Sequence, residues 1–269
     1  MNATAGLVAK DLRKVFFPRT INEVVALNDI GLQVDPGDFV TVIGSNGSGK
    51  STLLNAIAGT IPVTAGSIWL EGRDITGVPE YLRARSIGRV FQDPRAGTAP
   101  SMSIQENMAM AYMRGRRRSL RPGVPARLKK RMRETLAELG MGLDTRLGAQ
   151  VNKLSGGQRQ ALSLLMATVA EPRLLLLDEH TAALDPKVAG TIMDLTGKMV
   201  EQGRLTTLMV THNMEIALQW GNRLIMMHAG RIILDVSGAD KQTLTVAALV
   251  RKFHEVSGET LAVDRMLLE

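Results

Sequence analysis

Phe39-Val40-Thr41-Val42-Ile43-Gly44-Ser45-Asn46-Gly47-Ser48-Gly49-Lys50-Ser51-Thr52 is the stretch from which the fold can be read. A short β-prone run enters a glycine-rich loop, and Lys50 to Ala58 continues with a helical pattern. This is the strand–loop–helix context that the phosphate-loop pattern G-x-x-x-x-G-K-S requires. The glycines let the backbone turn so that successive N–H groups from Gly44 to Thr52 face a polyphosphate. The helix that follows aims the positive end of its dipole at the same charge. Lys50 is expected to reach the β- and γ-phosphates, and the Ser51 hydroxyl to ligate Mg²⁺.

Further along, Leu174-Leu175-Leu176-Leu177 reads as a strand buried on both faces, as in the middle of a parallel sheet, and it ends in Asp178 and Glu179. Acids at the carboxyl edge of such a sheet lie where ligands bind. Asp178 is expected to hold Mg²⁺ in the manner of a Walker-B acid, and Glu179 to polarise an attacking water as general base. Between these two landmarks lies Leu154-Ser155-Gly156-Gly157-Gln158. Ser155 and Gln158 fit a capping box at a helix start. A capping box does not account for two glycines in a first helical turn, where each costs roughly 0.5–1 kcal/mol relative to Ala. Bare backbone at a helix N-terminus is what an incoming phosphate needs.

Around these motifs the chain keeps an α/β rhythm. Strands are expected at 7–9, 24–27, 68–70, 87–91 and 207–210, and helices at 188–202 and 214–220. A closing hairpin is expected from Leu224–Met227 and Ile232–Leu234. Between Asp93 and Val151 the character changes, with helical patterns at 104–112 and 126–139 and breakers near Pro122-Gly123 and Pro125. This stretch reads as a helical insertion on the α/β core, about residues 93–155, within one domain spanning 1–269. Methionines at 102, 108, 110 and 113 would suit an adaptable apolar contact; the plainer expectation is ordinary helix core.

Composition narrows the class. With 269 residues, 45% of them hydrophobic, the chain can build a sizeable core. No apolar run approaches the ~20 residues of a membrane span. The start, Met1 to Lys10, lacks the basic-then-apolar order of a secretory signal, so none is expected. The absence of cysteine excludes disulfides and thiolate zinc sites. The net charge is +7, with a basic run at Arg114, Arg116, Arg117, Arg118, Arg121, Arg127, Lys129, Lys130, Arg131 and Arg133. The plain expectation is a solvated helical face with weak, salt-sensitive attraction to anionic surfaces and no specific nucleic-acid binding. Aromatics at 3% argue against a stacking platform for single strands.

From about Leu7 to about Ser237 the chain resembles the nucleotide-binding ATPase subunits of ATP-binding cassette (ABC) transporters. The resemblance implies a RecA-like phosphate-loop NTPase core with an N-terminal antiparallel β subdomain and an inserted helical subdomain. It implies ATP held between two subunits, by the phosphate loop of one and by Leu154 to Gln158, including Ser155, Gly156, Gly157 and Gln158, of the other. By the same resemblance Gln92 matches the Q-loop glutamine that touches Mg²⁺ and reports to the membrane partner. Ala182-Ala183-Leu184-Asp185 match the D-loop, His212 the switch histidine at the γ-phosphate, and Phe16 the ring that stacks on adenine. Asp93 to Met108 is where a permease's coupling helix would dock.

His180 stands where most members carry proline. A titratable group beside Glu179 could alter its pKa or contact a second subunit; the plainer expectation is an ordinary loop residue. Asp178-Glu179-His180-Thr181-Ala182-Ala183-Leu184-Asp185-Pro186 and Met209-Val210-Thr211-His212-Asn213-Met214 resemble a bacterial uptake-type subgroup, some of whose members are linked to amino acids. The implied partners are an integral membrane permease, a second copy or a paralogous ATPase, and an extracytoplasmic solute-binding protein. The implied place is the cytoplasmic face of the cell membrane, with import favoured over export. A soluble ATPase of DNA repair or translation fits less well. The interval 93–151 is too short for a coiled-coil insertion, and the chain holds a single set of motifs.

Overall fold

The computed structural model describes residues 6–115 and 123–257, so Arg116, Arg117, Arg118 and Arg121 of the basic run lie outside the described residues. Residues 6–83 with 204–257 form one compact unit, and 84–115 with 123–203 form the other. The first opens with β1 (Leu7–Phe16), β2 (Val24–Val34), β3 (Phe39–Gly44), α1 (Lys50–Ala58), β4 (Ala65–Leu70), β5 (Arg73–Asp74) and α2 (Glu80–Arg83). The second holds β6 (Ile87–Val90), α3 (Ile104–Tyr112), α4 (Ala126–Ala137), α5 (Gly156–Thr168), β7 (Leu174–Asp178) and α6 (Pro186–Gly203). The chain returns to the first unit with β8 (Thr206–Val210), α7 (Met214–Gln219), β9 (Arg223–His228), β10 (Arg231–Ser237), α8 (Gly238–Gln242) and α9 (Val246–Ser257).

In the first unit β1 is flanked antiparallel by β2 and β4, and β5 adds to β4. In its other sheet β3 lies between β8 and β9, parallel to both, and β10 runs antiparallel to β9. Every side chain from Phe39 to Ile43 and from Thr206 to Val210 is buried, the near-continuous apolar run of strands covered on both faces. The one polar residue of β3, Thr41, places its hydroxyl 3.0 Å from the Ala217 carbonyl and so enters the core with a partner. Val42 stands opposite Val210, so β3 and β8 end at the same edge. The expected hairpin is β9–β10. Its loop, Ala229-Gly230, has φ of 45° and 75°, the two left-handed residues of a type I′ turn. The sequence reading did not foresee α9, whose Leu249 and Phe253 pack with Ile43, Leu224 and Met226.

In the second unit β6 and β7 pair in parallel, and the four leucines of β7 are fully buried, as their run predicts. The helices share a core of Ile104, Met108, Met132, Leu136, Leu162 and Ile192. Met108 is therefore core, the plainer of the two expectations for the methionines, while Met110 and Met113 are exposed. The basic run also divides. Arg114 turns inward, its guanidinium donating to the Met166 and Ala167 carbonyls at 3.0 and 3.3 Å near the end of α5, and burial lowers its pKa. Arg127, Lys130, Arg131 and Arg133 keep to the exposed face of α4.

The helix that follows the phosphate loop is fastened at its far end. Arg83 is 5% exposed and donates to the carbonyls of Ala56 and Ile57, both at 2.8 Å, and to those of Val78 and Thr76 at 2.7 and 2.9 Å. A cation on the last carbonyls of α1 satisfies acceptors that the helix leaves open and complements its dipole. We expect Arg83→Met to lower unfolding free energy by about 2–4 kcal/mol, because two buried and two part-buried carbonyls lose a charged donor. Urea unfolding measures it, and a loss under about 0.5 kcal/mol, the scale of a surface change, would contradict the fastening role.

Candidate functional site

The phosphate loop is built as its sequence demands. Gly44, Gly47 and Gly49 have φ of 151°, 78° and 103°. At two of them the reason is spatial as well: a Cβ on Gly44 would run into the Met227 carbonyl, and one on Gly49 into the Ala26 carbonyl. The β9–β10 turn braces the loop from behind, Gly230 N–H donating to Ser48 O at 3.0 Å. Asn46, Gly47 and Ser51 remain exposed, so the loop has a covered back and an open front. The Lys50 ammonium folds over the loop, donating to Gly44 O at 2.6 Å and Ser45 O at 2.9 Å. The first turn of α1 has no side-chain cap and no acid, so its N–H groups keep their positive character for an anion.

Two more expected residues lie in the same unit. His212 follows β8, and the register of β8 on β3 brings it out at the edge where the phosphate loop begins; Thr211 N–H donates to Val42 O at 3.1 Å. Phe16 ends β1 opposite Val24, half-buried, with the Lys14 ammonium 4.9 Å from its ring centroid. Its neighbour Phe17 is 66% exposed and left-handed.

The other expected residues lie in the second unit. Gln92 is exposed and follows β6 closely. Asp178 ends β7, and it has a partner that the sequence reading missed. The Arg89 guanidinium on β6 reaches the Asp178 carboxylate at 3.3 Å, with the two side chains 12% and 15% exposed, and stands 4.5 Å from the Phe91 ring. One arginine thus ties the acid of β7 to the segment that carries Gln92. A second missed residue is Asn107, fully buried, whose amide accepts from Ala99 N–H at 2.7 Å and donates to the Ala99 and Ser103 carbonyls. It shapes the loop between Gln92 and α3.

Glu179 has φ of 44°, a left-handed conformation that costs a non-glycine residue roughly 1–2 kcal/mol. Ala182 N–H donates to Glu179 O at 3.0 Å and closes the first turn after the strand. Asp185 caps α6, its carboxylate accepting from Val188 N–H at 3.1 Å, with Pro186 at the first helical position. His180, expected as an ordinary loop residue, is 2% exposed, and its Nε2 lies 3.0 Å from Thr196 Oγ1. It is an internal tether and not a solvated loop side chain.

The signature segment opens α5 with a complete capping box. Ser155 Oγ accepts from Gln158 N–H and Gln158 Oε1 accepts from Ser155 N–H, both at 3.2 Å. The two glycines separate. A Cβ on Gly157 would collide with Val188, so this glycine lets α5 approach the start of α6. Gly156 is exposed and its Cβ would meet nothing closer than an ordinary contact with Leu184. Packing accounts for Gly157 and leaves Gly156 as bare backbone at the helix start. Arg159 underpins the turn, donating to the carbonyls of Val151, Asn152 and Leu154.

A family model described as ABC transporter matches residues 27–182. The chain is 48% identical over 239 residues to a tyrosine transport ATP-binding protein of Clostridioides difficile, covering 88% of this chain and 92% of that one. It is 39% identical over 208 residues to a sulfate/thiosulfate import ATP-binding protein of Bacillus cereus, covering 77% of this chain and 56% of that longer relative. The fold matches a dimeric ATP-binding cassette in a post-hydrolysis state bound to ADP and Pi, with a TM-score of 0.74 and 27% identity over 86% of this chain and 98% of that one.

Burial lowers the His180 pKa from 6.5 to about 4. Between those values the unfolded chain binds a proton that the folded chain refuses. Stability therefore falls as pH drops through the window from 6.5 to 4 and levels off below it. The expected contribution is on the order of 3 kcal/mol. Urea unfolding at pH 7.5 and pH 4.5 should show a smaller acid loss in His180→Leu than in the wild type. Equal losses in the two proteins would contradict the buried neutral ring.

Proposed function

The chain belongs to the ABC transporter family as an ATPase, and on that premise we propose that it energises solute uptake through a separate membrane permease. The observation that carries this reading is the phosphate loop, backed by neighbouring backbone, open in front, and crossed by Lys50. The amides from Gly44 to Thr52 and the Lys50 ammonium bind the phosphates of ATP, exchanging loop carbonyls for phosphate oxygens as partners of the lysine. Phe16 stacks on adenine. Ser51, Gln92 and Asp178 offer hydroxyl, amide and carboxylate oxygens, the hard donors that suit Mg²⁺. The ion when bound neutralises charge on the β- and γ-phosphate oxygens. Glu179 accepts a proton from the attacking water, and His212 contacts the γ-phosphate. Ser155, Gly156, Gly157 and Gln158 of a second copy close on the same phosphate, with Asp185 in the loop that crosses between copies.

No helix among the described residues is long and apolar enough to cross a membrane. The reading places the protein on the cytoplasmic face of the membrane, docked on a permease through the segment Asp93 to Met108, beside exposed Met110 and Met113. An extracytoplasmic binding protein would deliver the solute. The tyrosine transport relative makes an amino acid, tyrosine first, the candidate solute, and the sulfate relative supports import.

Glu179→Gln keeps the side chain's size but cannot accept a proton, so Mg·ATP should bind while turnover falls by about 10²–10⁴. The variant should accumulate as an ATP-bound dimer on size-exclusion chromatography, and Ser155→Arg added to it should abolish that dimer. A monomer hydrolysing ATP at the wild-type rate would defeat both the general-base role and the two-copy site. Direction is read in cells. Lys50→Ala should reduce uptake of labelled tyrosine to background, whereas greater retention of the label in the variant would indicate export.

A further inference from the structure

We propose that the His180–Thr196 hydrogen bond positions the catalytic turn, with Thr196 inside α6 acting through His180 on the backbone of Glu179. The proposal rests on the general-base reading of Glu179. Thr196 is fully buried and its hydroxyl donates to the Ile192 carbonyl at 2.8 Å. A hydroxyl has one proton to give. Its contact with His180 at 3.0 Å is therefore one in which Thr196 accepts and His180 Nε2–H donates. That places a proton on Nε2 and orients the ring toward the helix, while burial favours the uncharged imidazole.

The geometry places this tether where it has leverage. His180 follows Glu179 directly, and Glu179 holds φ of 44°. A left-handed non-glycine residue relaxes unless its surroundings hold it. Upstream, β7 holds the chain through its pairing with β6. Downstream, Ala182, Ala183 and Asp185 are exposed and Leu184 is half-buried against the unit's core, so His180 is the fully enclosed side chain nearest to Glu179 on that side. It runs to a helix whose Ile192 sits in the unit's core. The His180 side chain and its hydrogen bond thereby link α6 and the unit's core to the backbone next to Glu179, and this link helps to keep the carboxylate aimed.

The test uses the purified full-length protein with Mg·ATP. Thr196→Val preserves shape and removes the acceptor. It should lower kcat about tenfold to a hundredfold, the scale of a small misplacement of a reacting group, while KM for ATP stays within about twofold because the phosphate loop is untouched. Thr196→Ser restores the hydroxyl and should recover most of kcat. His180→Leu with Thr196→Val should be no slower than the worse single variant, because both remove one interaction. Thermal melts check that each variant is folded. The proposal is overturned if folded Thr196→Val turns over at the wild-type rate, if Ser fails to rescue it, or if the two changes multiply. Glu179→Gln run alongside separates the two readings. If it is inactive while Thr196→Val is normal, only the tether falls. If it is fully active, the general-base role falls and the tether with it.

Discussion

A loop that offers its amides to an anion needs support on its other side, and in this protein that support is backbone meeting backbone. The carbonyl of Met227 lies behind Gly44 and that of Ala26 behind Gly49. Neither position tolerates a side chain, so the loop's curvature is set by contact with β2 and β9 as much as by the freedom of glycine. The β9–β10 turn donates into the loop at Ser48, and Arg83 fastens the other end of α1. Recognition of a phosphate thus draws on segments from both ends of the chain, and the first unit's two sheets exist in service of that arrangement.

The second unit solves a different problem, that of holding acids at the end of an apolar strand. Asp178 ends a strand of four buried leucines, and Arg89 places an opposite charge beside it from the adjacent strand. The same guanidinium lies over Phe91, so acid and glutamine loop share one support. Glu179 has a strained backbone, and the chain meets that cost with His180, whose burial keeps it neutral.

What could be read from the sequence was what is encoded locally. The phosphate loop, the capping box at Ser155 and the four leucines of β7 each declare themselves within a few residues. The hairpin turn was legible too, from two apolar runs around a glycine. Contacts across long separations were not. Arg89 and Asp178 are 89 residues apart, and only the oddity of a cation in the apolar run 87–91 signals that a partner is required. His180 gives no sign of Thr196, because a threonine inside a helix has no local reason to be an acceptor for a distant ring. The burial of Met108 and the helix α9 also follow patterns visible in the sequence. Met108 lies one helical turn from Ile104, and Val246, Leu249, Val250 and Phe253 follow a helical face.

Gly157 has a bearing on how sequence change at this site is interpreted. Its missing Cβ is what lets Val188 sit against the start of α5. A larger residue there would force Val188, or the helix that carries it, to shift before any nucleotide arrived. Loss of function at Gly157 therefore reports on assembly of the unit as well as on its meeting with a second copy. Gly156, exposed and clear of that contact, is free of this constraint, whereas Ser155 is exposed but also caps α5.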